Sequence, residues 1–287
     1  MNLFFTVFSK ASFFLLDLFI PKTKNLVIFS SKYGKSFQGN AKTVFKAMCK
    51  TNEFDCYYFF SDKDVIKDLQ SEEYSGRFIY IYSWRAYWLG LRAKAALFNV
   101  GPGDFGPFFF SPRKFVLFLG HGIPLKKCFF DANVYTLRAA IITYLESRFF
   151  HFIAASAEEG KFLTHGFRLP LNRVTITGLP RNDELSHGHQ LVRVNFPNKL
   201  LVLYVPTFRD NEDLNWFPFE DRDLSRLNKL LESIGIVIFL RPHPNDKTDI
   251  SSYLSENIRL LDSSSYPDLQ EVLPEMDAMI TDYSGIY

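Results

Sequence analysis

Gly235-Ile-Val-Ile-Phe-Leu-Arg-Pro-His-Pro244 decides how this chain is read. Ile236 to Leu240 are apolar without alternation, bounded by a glycine and two prolines. A run of that kind reads as a strand buried on both faces, as in a parallel sheet. Pro242 and Pro244 end the strand and stiffen the backbone just beyond it. Arg241 and His243 therefore stand at the carboxyl end of a buried strand, where open α/β sheets bind ligands. A guanidinium offers a planar fork for phosphate, and an imidazole exchanges a proton near neutral pH. An ordinary strand end with a surface Arg and a capping His has the same residues, so the surrounding sequence must decide.

On either side of this stretch the chain repeats the pattern. Leu200–Val205 reads as a strand that breaks at Pro206-Thr-Phe-Arg-Asp210. Leu224, Leu227, Leu230, Leu231 and Ile234 mark one face of a helix stopped by Gly235. Ile258–Leu261 and Ala278–Thr281 read as further strands, with a helix near 268–275 and a helix start at Asp282-Tyr-Ser-Gly285. Four strands in about 90 residues are few for a doubly wound domain. The second half thus reads as truncated, with the chain a fragment whose next helix would cover the last strand.

The first half carries the same strand–helix order. Strands are predicted at 25–30, 56–60, 78–82, 96–100, 115–119, 152–155 and 174–177. Helices are predicted at 41–50 with Asn40 as cap, from Asp62, from Ser83 to about Ala95, and near 133–150. Such alternation argues for a parallel sheet covered on both faces. Phe115–Leu119 runs into Gly120-His-Gly-Ile-Pro-Leu-Lys-Lys127, where glycines on both sides of His121 allow a sharp turn and a close ligand approach. Residues 186–198 are polar and irregular and read as a linker; His187 and His189 have no acidic or thiol partner at metal-ligand spacing.

Composition narrows the choice. The chain has 287 residues, 47% hydrophobic, enough for about two domains. A net charge of +2 leaves no basic stripe of the kind nucleic-acid binders carry. Three cysteines without metal or disulfide spacing fit a reducing compartment. No Walker A loop and no G-x-G-x-x-G occurs, which argues against P-loop and dehydrogenase chemistry. Aromatics reach 17%, with 32 Phe, pointing to thick apolar packing or membrane contact.

Residues 1–20 are rich in Phe and Leu, yet Lys10 and Asp17 interrupt them, so they suit neither a spanning helix nor a signal peptide. At roughly 100° per residue, Asn2, Thr6, Ser9, Lys10 and Asp17 share one arc and apolar residues fill most of the rest. The expectation is a helix lying in a membrane interface, with Lys22 and Lys24 near the headgroups; the alternative is a helix packed on the protein's own body.

The polar clusters fall at strand carboxyl ends: His121 in the first half, and Thr207/Arg209, Arg241/His243 and Asp282/Ser284 in the second. Backbone amides at Ser284 and Gly285 are expected to bind an anion such as a diphosphate, with Arg241 or Arg209 neutralising it. Together these read as a nucleotide-diphosphate site.

The motifs also resemble a family. His121-Gly122 with Pro124-Leu-Lys126, Pro206-Thr-Phe-Arg-Asp210, Arg241-Pro-His-Pro244 and Thr281-Asp-Tyr-Ser284 are similar to runs of the CDP-glycerol glycerophosphotransferases, in their order. Gly178 with Pro180-Arg-Asn-Asp183, and Gly39-Asn40 with Lys42, match as well. Gly285 departs from the family, which has a second Ser there. The resemblance implies a GT-B-like fold of two Rossmann-like parallel-sheet domains, an acceptor domain at 21–185 and a donor domain at 199–287.

It further implies transfer of glycerol phosphate from CDP-glycerol, or ribitol phosphate from CDP-ribitol, to a lipid-linked or polymer acceptor, releasing CMP, in teichoic-acid or capsular polymer synthesis. His121 would be the general base, and His243 would hold the diphosphate or assist the leaving phosphate. Asn40, Gly122, Lys126, Thr207, Arg209, Arg241, Thr281, Asp282, Ser284 and Gly285 would line the substrate site. No cofactor is implied, and a divalent cation is left open. The implied location is peripheral, on the cytoplasmic face of the cell membrane. A GT-B glycosyltransferase using a nucleotide sugar, or an inactive truncated relative, would share many of these features.

Overall fold

The computed structural model describes residues 3–124, 129–132, 149–186, 190–207, 214–243, 246, 248–282 and 284–286. Of the helix expected near 133–150, residues 133–148 lie outside them, as do Lys126, Arg209, His187 and His189, while Phe150 is already strand.

The chain opens with helix α1 (Leu3–Phe19) and enters strand β1 (Thr23–Ser30). Helix α2 (Gly39–Thr51), β2 (Asp55–Phe60), α3 (Lys63–Asp68), β3 (Phe78–Tyr80), α4 (Trp84–Arg92) and β4 (Ala93–Phe98) come next. After β5 (Phe115–Phe118) come β6 (Phe150–Ala154), α5 (Ala157–Phe167) and β7 (Val174–Ile176). These strands form one seven-stranded parallel sheet in the order β3-β2-β1-β4-β5-β6-β7. The order reverses between β1 and β4, which opens a crevice at their carboxyl ends.

Unalternating strands result from cover on both faces. In β1, Leu26 and Ile28 enter one apolar cluster while Val27 and Phe29 enter another. The high Phe content is used here: Phe37, Phe45, Tyr58, Phe60 and Phe78 meet one another at ring distances of 5.0–6.5 Å. Each such contact contributes about 0.5–1.5 kcal/mol beyond the area it buries.

Strands β8 (Leu200–Tyr204), β9 (Ile236–Leu240), β10 (Ile258–Leu260) and β11 (Ala278–Ile280), with helix α6 (Leu224–Ile234), build a second parallel sheet in the order β10-β9-β8-β11. Val237 and Phe239 of β9 face one core and Ile238 and Leu240 the other. Its order reverses between β8 and β11. The chain divides into two units, Met1–Arg181 and Asn182–Tyr287.

Several local expectations need correction. Asn40 does not cap α2: Gln38 occupies that position, and Asn40 sits buried inside the helix. Helix α4 stops at Arg92 because Ala93 already pairs with β1. The helix expected near 268–275 is two single 3-10 turns, Leu269–Glu271 and Leu273–Glu275, because Pro274 has no N–H to continue an α-helical ladder. The expected linker is tied down in part. The amides of Leu191, Val192 and Arg193 donate to the Glu275 carboxylate at 2.6–2.7 Å, and Val192 is buried.

Helix α1 also differs from expectation. Its Asp17, placed by the sequence on a water-facing arc, is fully buried. Asp17 Oδ1 lies 2.6 Å from Lys22 Nζ and 3.1 Å from Lys114 Nζ, and Oδ2 accepts from the Ser111 amide at 2.8 Å. Lys22, expected near headgroups, is held instead by Asp17 and by the Leu91 carbonyl. Phe13, also fully buried, stacks on Phe108 at 4.5 Å. No helix among the described residues is long and apolar enough to cross a membrane.

Candidate active site

In the first unit, polar groups gather at the carboxyl ends of β1, β4 and β5. His121 comes just after β5, with Gly120 and Gly122 at φ +67° and +147°, which only glycine adopts at little cost. The His121 ring is exposed, and its Nδ1 lies 3.4 Å from the Asn99 carbonyl. A carbonyl can only accept, so this contact puts the proton on Nδ1 and leaves Nε2 as the basic nitrogen.

The backbone of the His121 loop is fixed from three sides. Asn40 donates both amide hydrogens, to the Leu119 carbonyl at 2.7 Å and the Gly120 carbonyl at 3.0 Å. Its oxygen accepts from the Arg181 amide at 2.9 Å, and Arg181 Nη1 reaches the His121 carbonyl at 3.0 Å. Asn40, expected to bind substrate, is therefore committed to positioning the loop.

Asn99 and Asp104 extend the network. Asn99 accepts from the Ala41 amide at 2.9 Å and donates to Ser31 Oγ at 3.0 Å. Asp104 accepts from the amides of Tyr33, Asn99 and Val100 at 2.7–3.2 Å. Burial pushes the Asp104 carboxyl above its ordinary value, and these amides oppose that rise. Asn99 and Asp104 are absent from the residues that the sequence singles out, and Arg181 stands there only within the Pro180-Arg-Asn-Asp183 motif, without a role. Asn99 nevertheless carries the same signal as His121, a polar side chain directly after a buried strand.

Asn40→Ala is expected to destabilise the chain by roughly 1–3 kcal/mol, because two carbonyls and the Arg181 amide lose their partner. Thermal unfolding measures this. A loss below about 0.5 kcal/mol would mean that the loop holds itself.

In the second unit the crevice between β8 and β11 brings three expected residues together. Asp282 Oδ1 accepts from the Thr207 amide at 2.7 Å and from its hydroxyl. Thr281 Oγ1 donates to the Val205 carbonyl at 2.7 Å. Ser284 and Gly285 come next, half-buried, and Gly285 and Ile286 form a turn rather than the expected helix start.

Arg241 is a correction. Its place at the strand end predicts a side chain facing a diphosphate, but it is buried. Its Nη1 and Nη2 donate to the carbonyls of Leu261 and Tyr266 at 3.0 and 2.7 Å. Burial pulls its pKa down, while Asp262 and Asp268 hold it up. The side chain clamps the loop after β10. His243, two residues on, is exposed, and its carbonyl accepts from the Asp246 amide at 2.8 Å.

Two parallel α/β units in series, each with polar side chains gathered at the carboxyl edge of its sheet, are the units of a GT-B-like fold. The sequence profile of the CDP-glycerol:poly(glycerophosphate) glycerophosphotransferases matches residues 12–287, and the chain belongs to that family. It is 27% identical over 282 residues to a Staphylococcus aureus teichoic acid glycerol-phosphate transferase, covering 92% of this chain and 70% of that protein. It is 26% identical over 306 residues to a Bacillus subtilis teichoic acid poly(glycerol phosphate) polymerase, covering 96% of this chain and 38% of the polymerase. Among solved structures, the wall teichoic acid polymerase TagF superposes with a TM-score of 0.72 at 22% identity, covering 95% of this chain and 70% of TagF. That likeness is one of fold.

Proposed function

We propose that this chain transfers glycerol phosphate from CDP-glycerol to a hydroxyl of a teichoic-acid-type acceptor. The observation that carries the reading is the exposed His121 ring, set on a braced loop with Nε2 as its basic nitrogen. In the proposed reaction the acceptor oxygen attacks the phosphorus that bears the glycerol. The bond between that phosphorus and the bridging oxygen breaks, CMP leaves with the bridging oxygen, and the acceptor proton passes to His121 Nε2. Phosphoryl transfer of this type depends mainly on positioning and charge neutralisation.

The Thr207–Asp282 crevice is the proposed seat of the donor, with His243 at the neighbouring strand end and Lys126 and Arg209 as further contacts. The acceptor is proposed to be lipid-linked and presented at a membrane surface, with the protein peripheral on its cytoplasmic side. CDP-ribitol is the alternative donor within the same chemistry.

The test is CMP release from CDP-glycerol in the presence of a glycerol-phosphate-primed lipid acceptor. CMP is expected from CDP-glycerol, and no UDP is expected from UDP-sugars. Turnover of a UDP-sugar alone would replace this reading with glycosyl transfer.

A further inference from the structure

One peptide group stands between His121 and a buried carboxylate. The Asn99 carbonyl, which meets His121 Nδ1 at 3.4 Å, belongs to the same planar amide as the Val100 N–H. That N–H donates to Asp104 Oδ2 at 2.9 Å. The Asp104 carboxylate and the His121 ring are therefore bonded to opposite ends of one peptide dipole.

The local sequence explains the placement. Strand β4 ends at Phe98, and Asn99 and Val100 follow directly. Gly101 and the 3-10 turn Pro102–Phe105 then fold the chain back, with the Asp104 amide donating to the Gly101 carbonyl at 2.9 Å. Asp104 thereby returns its carboxylate to its own strand end. Oδ2 accepts from the Asn99 amide at 3.2 Å as well as from Val100, and Oδ1 accepts from the Tyr33 amide at 2.7 Å. Ser30 Oγ donates to the Asp104 carbonyl at 2.6 Å and ties the turn to β1. Asn99 is held as well: its side chain takes the Ala41 amide at 2.9 Å and donates to Ser31 Oγ at 3.0 Å.

Asp104 is fully buried, and these side-chain partners are all N–H donors. An ionised carboxylate only accepts and suits all of them; a protonated one would also have to donate. An anion bonded to a peptide N–H draws electron density toward the carbonyl oxygen, and hydrogen bonds in such a chain strengthen one another. The Asn99 carbonyl becomes a stronger acceptor for Nδ1–H, most of all when the ring is an imidazolium. Arg181 donates to the His121 carbonyl, so a cation already stands on this residue, and an imidazolium there needs a counter-charge.

We propose that Asp104 acts on His121 through the Asn99–Val100 peptide, fixing the Nδ1–H tautomer and stabilising the imidazolium that forms when Nε2 takes the acceptor proton. No proton passes along this path: Nδ1 keeps its hydrogen, and Asp104 stays ionised throughout. Asp104 is a positioning residue, and its role rests on the reading of His121 as the general base.

The test is nitrogen NMR of the full chain, labelled at histidine and at the backbone, without donor or acceptor, so that its failure leaves CDP-glycerol turnover as a separate question. Neutral His121 is expected to carry its proton on Nδ1. Asp104→Asn is expected to mix the two tautomers and to lower kcat for transfer about 10–10²-fold, with KM for CDP-glycerol unchanged. Ser30→Ala is the structural control: it loosens the same turn and lowers the melting temperature, with tautomer and kcat unchanged. A second measurement leaves Asp104 in place, should its substitution unfold the chain. In His121→Ala the Val100 amide proton is expected to move upfield, because the carbonyl of its peptide has lost a donor. A proton on Nε2 in the unmodified chain, an unchanged tautomer and rate in Asp104→Asn, or a Val100 amide indifferent to His121 would overturn the proposal. An equal loss of rate in Ser30→Ala would overturn it too, by making the effect one of loop stability.

Discussion

Replacing His121 by alanine is expected to lower transfer from CDP-glycerol by about 10²–10⁴-fold, the range that a positioned general base contributes. The fold should not change. The ring is exposed and meets the Asn99 carbonyl, whereas the loop is held through its backbone by Asn40 and Arg181. Those hydrogen bonds survive the substitution. Loss of rate with an unchanged melting temperature and unchanged donor binding marks a residue that acts on the reacting hydroxyl. Loss of rate together with a lower melting temperature would mark a structural residue instead. A variant with near-normal turnover would remove His121 from the mechanism.

The second large effect is expected at α1. Asp17→Asn leaves the Lys22 and Lys114 ammonium groups buried without a counter-charge, although their bonds to backbone carbonyls remain. Breaking a buried pair in this way costs about 3–5 kcal/mol. For a chain of this size that lowers the melting temperature by roughly 10 °C. A shift of only about 1 °C would mean that the cluster adds little to the docking of α1.

The same cluster gives a pH signature. Burial lowers the Lys114 pKa to about 8 from 10.5, with Asp17 opposing the fall. Between these two values the unfolded chain holds a proton that the folded chain has released, so the Lys114 contribution to stability rises with pH across that window. Lys114→Met should flatten that rise in urea unfolding measured from pH 8 to 10.5.

The fold is legible because its strands are short apolar runs that end in glycine, proline or a polar side chain. Strands β1, β2 and β9 can be read this way, since both faces are buried and no alternation blurs the run. Helix α5 is missing from the sequence reading although its start carries a signal: Ser156 accepts from the Glu159 amide, and Glu159 reaches back to the Ala155 amide. That is close to a capping box.

For the site, residue types are legible and several roles are not. Whether Asn40 faces a ligand or the chain depends on Arg181, 141 residues away, and on the carbonyls of Leu119 and Gly120. Arg241 likewise meets carbonyls 20 and 25 residues further on. Local sequence shows that such a side chain stands at a strand end; only tertiary packing decides which way it points. Asp17 makes the same point for α1. Periodicity places Asp17 on a polar arc, but two lysines hold its carboxylate inside the protein.

The most direct test of the central claim is the mass of a glycerol-phosphate-primed lipid acceptor after incubation with the chain and CDP-glycerol. A gain of one or more glycerol phosphate units, with one CMP released per unit, is the predicted result. An unchanged acceptor beside one that gains a hexose from a UDP-sugar would contradict it.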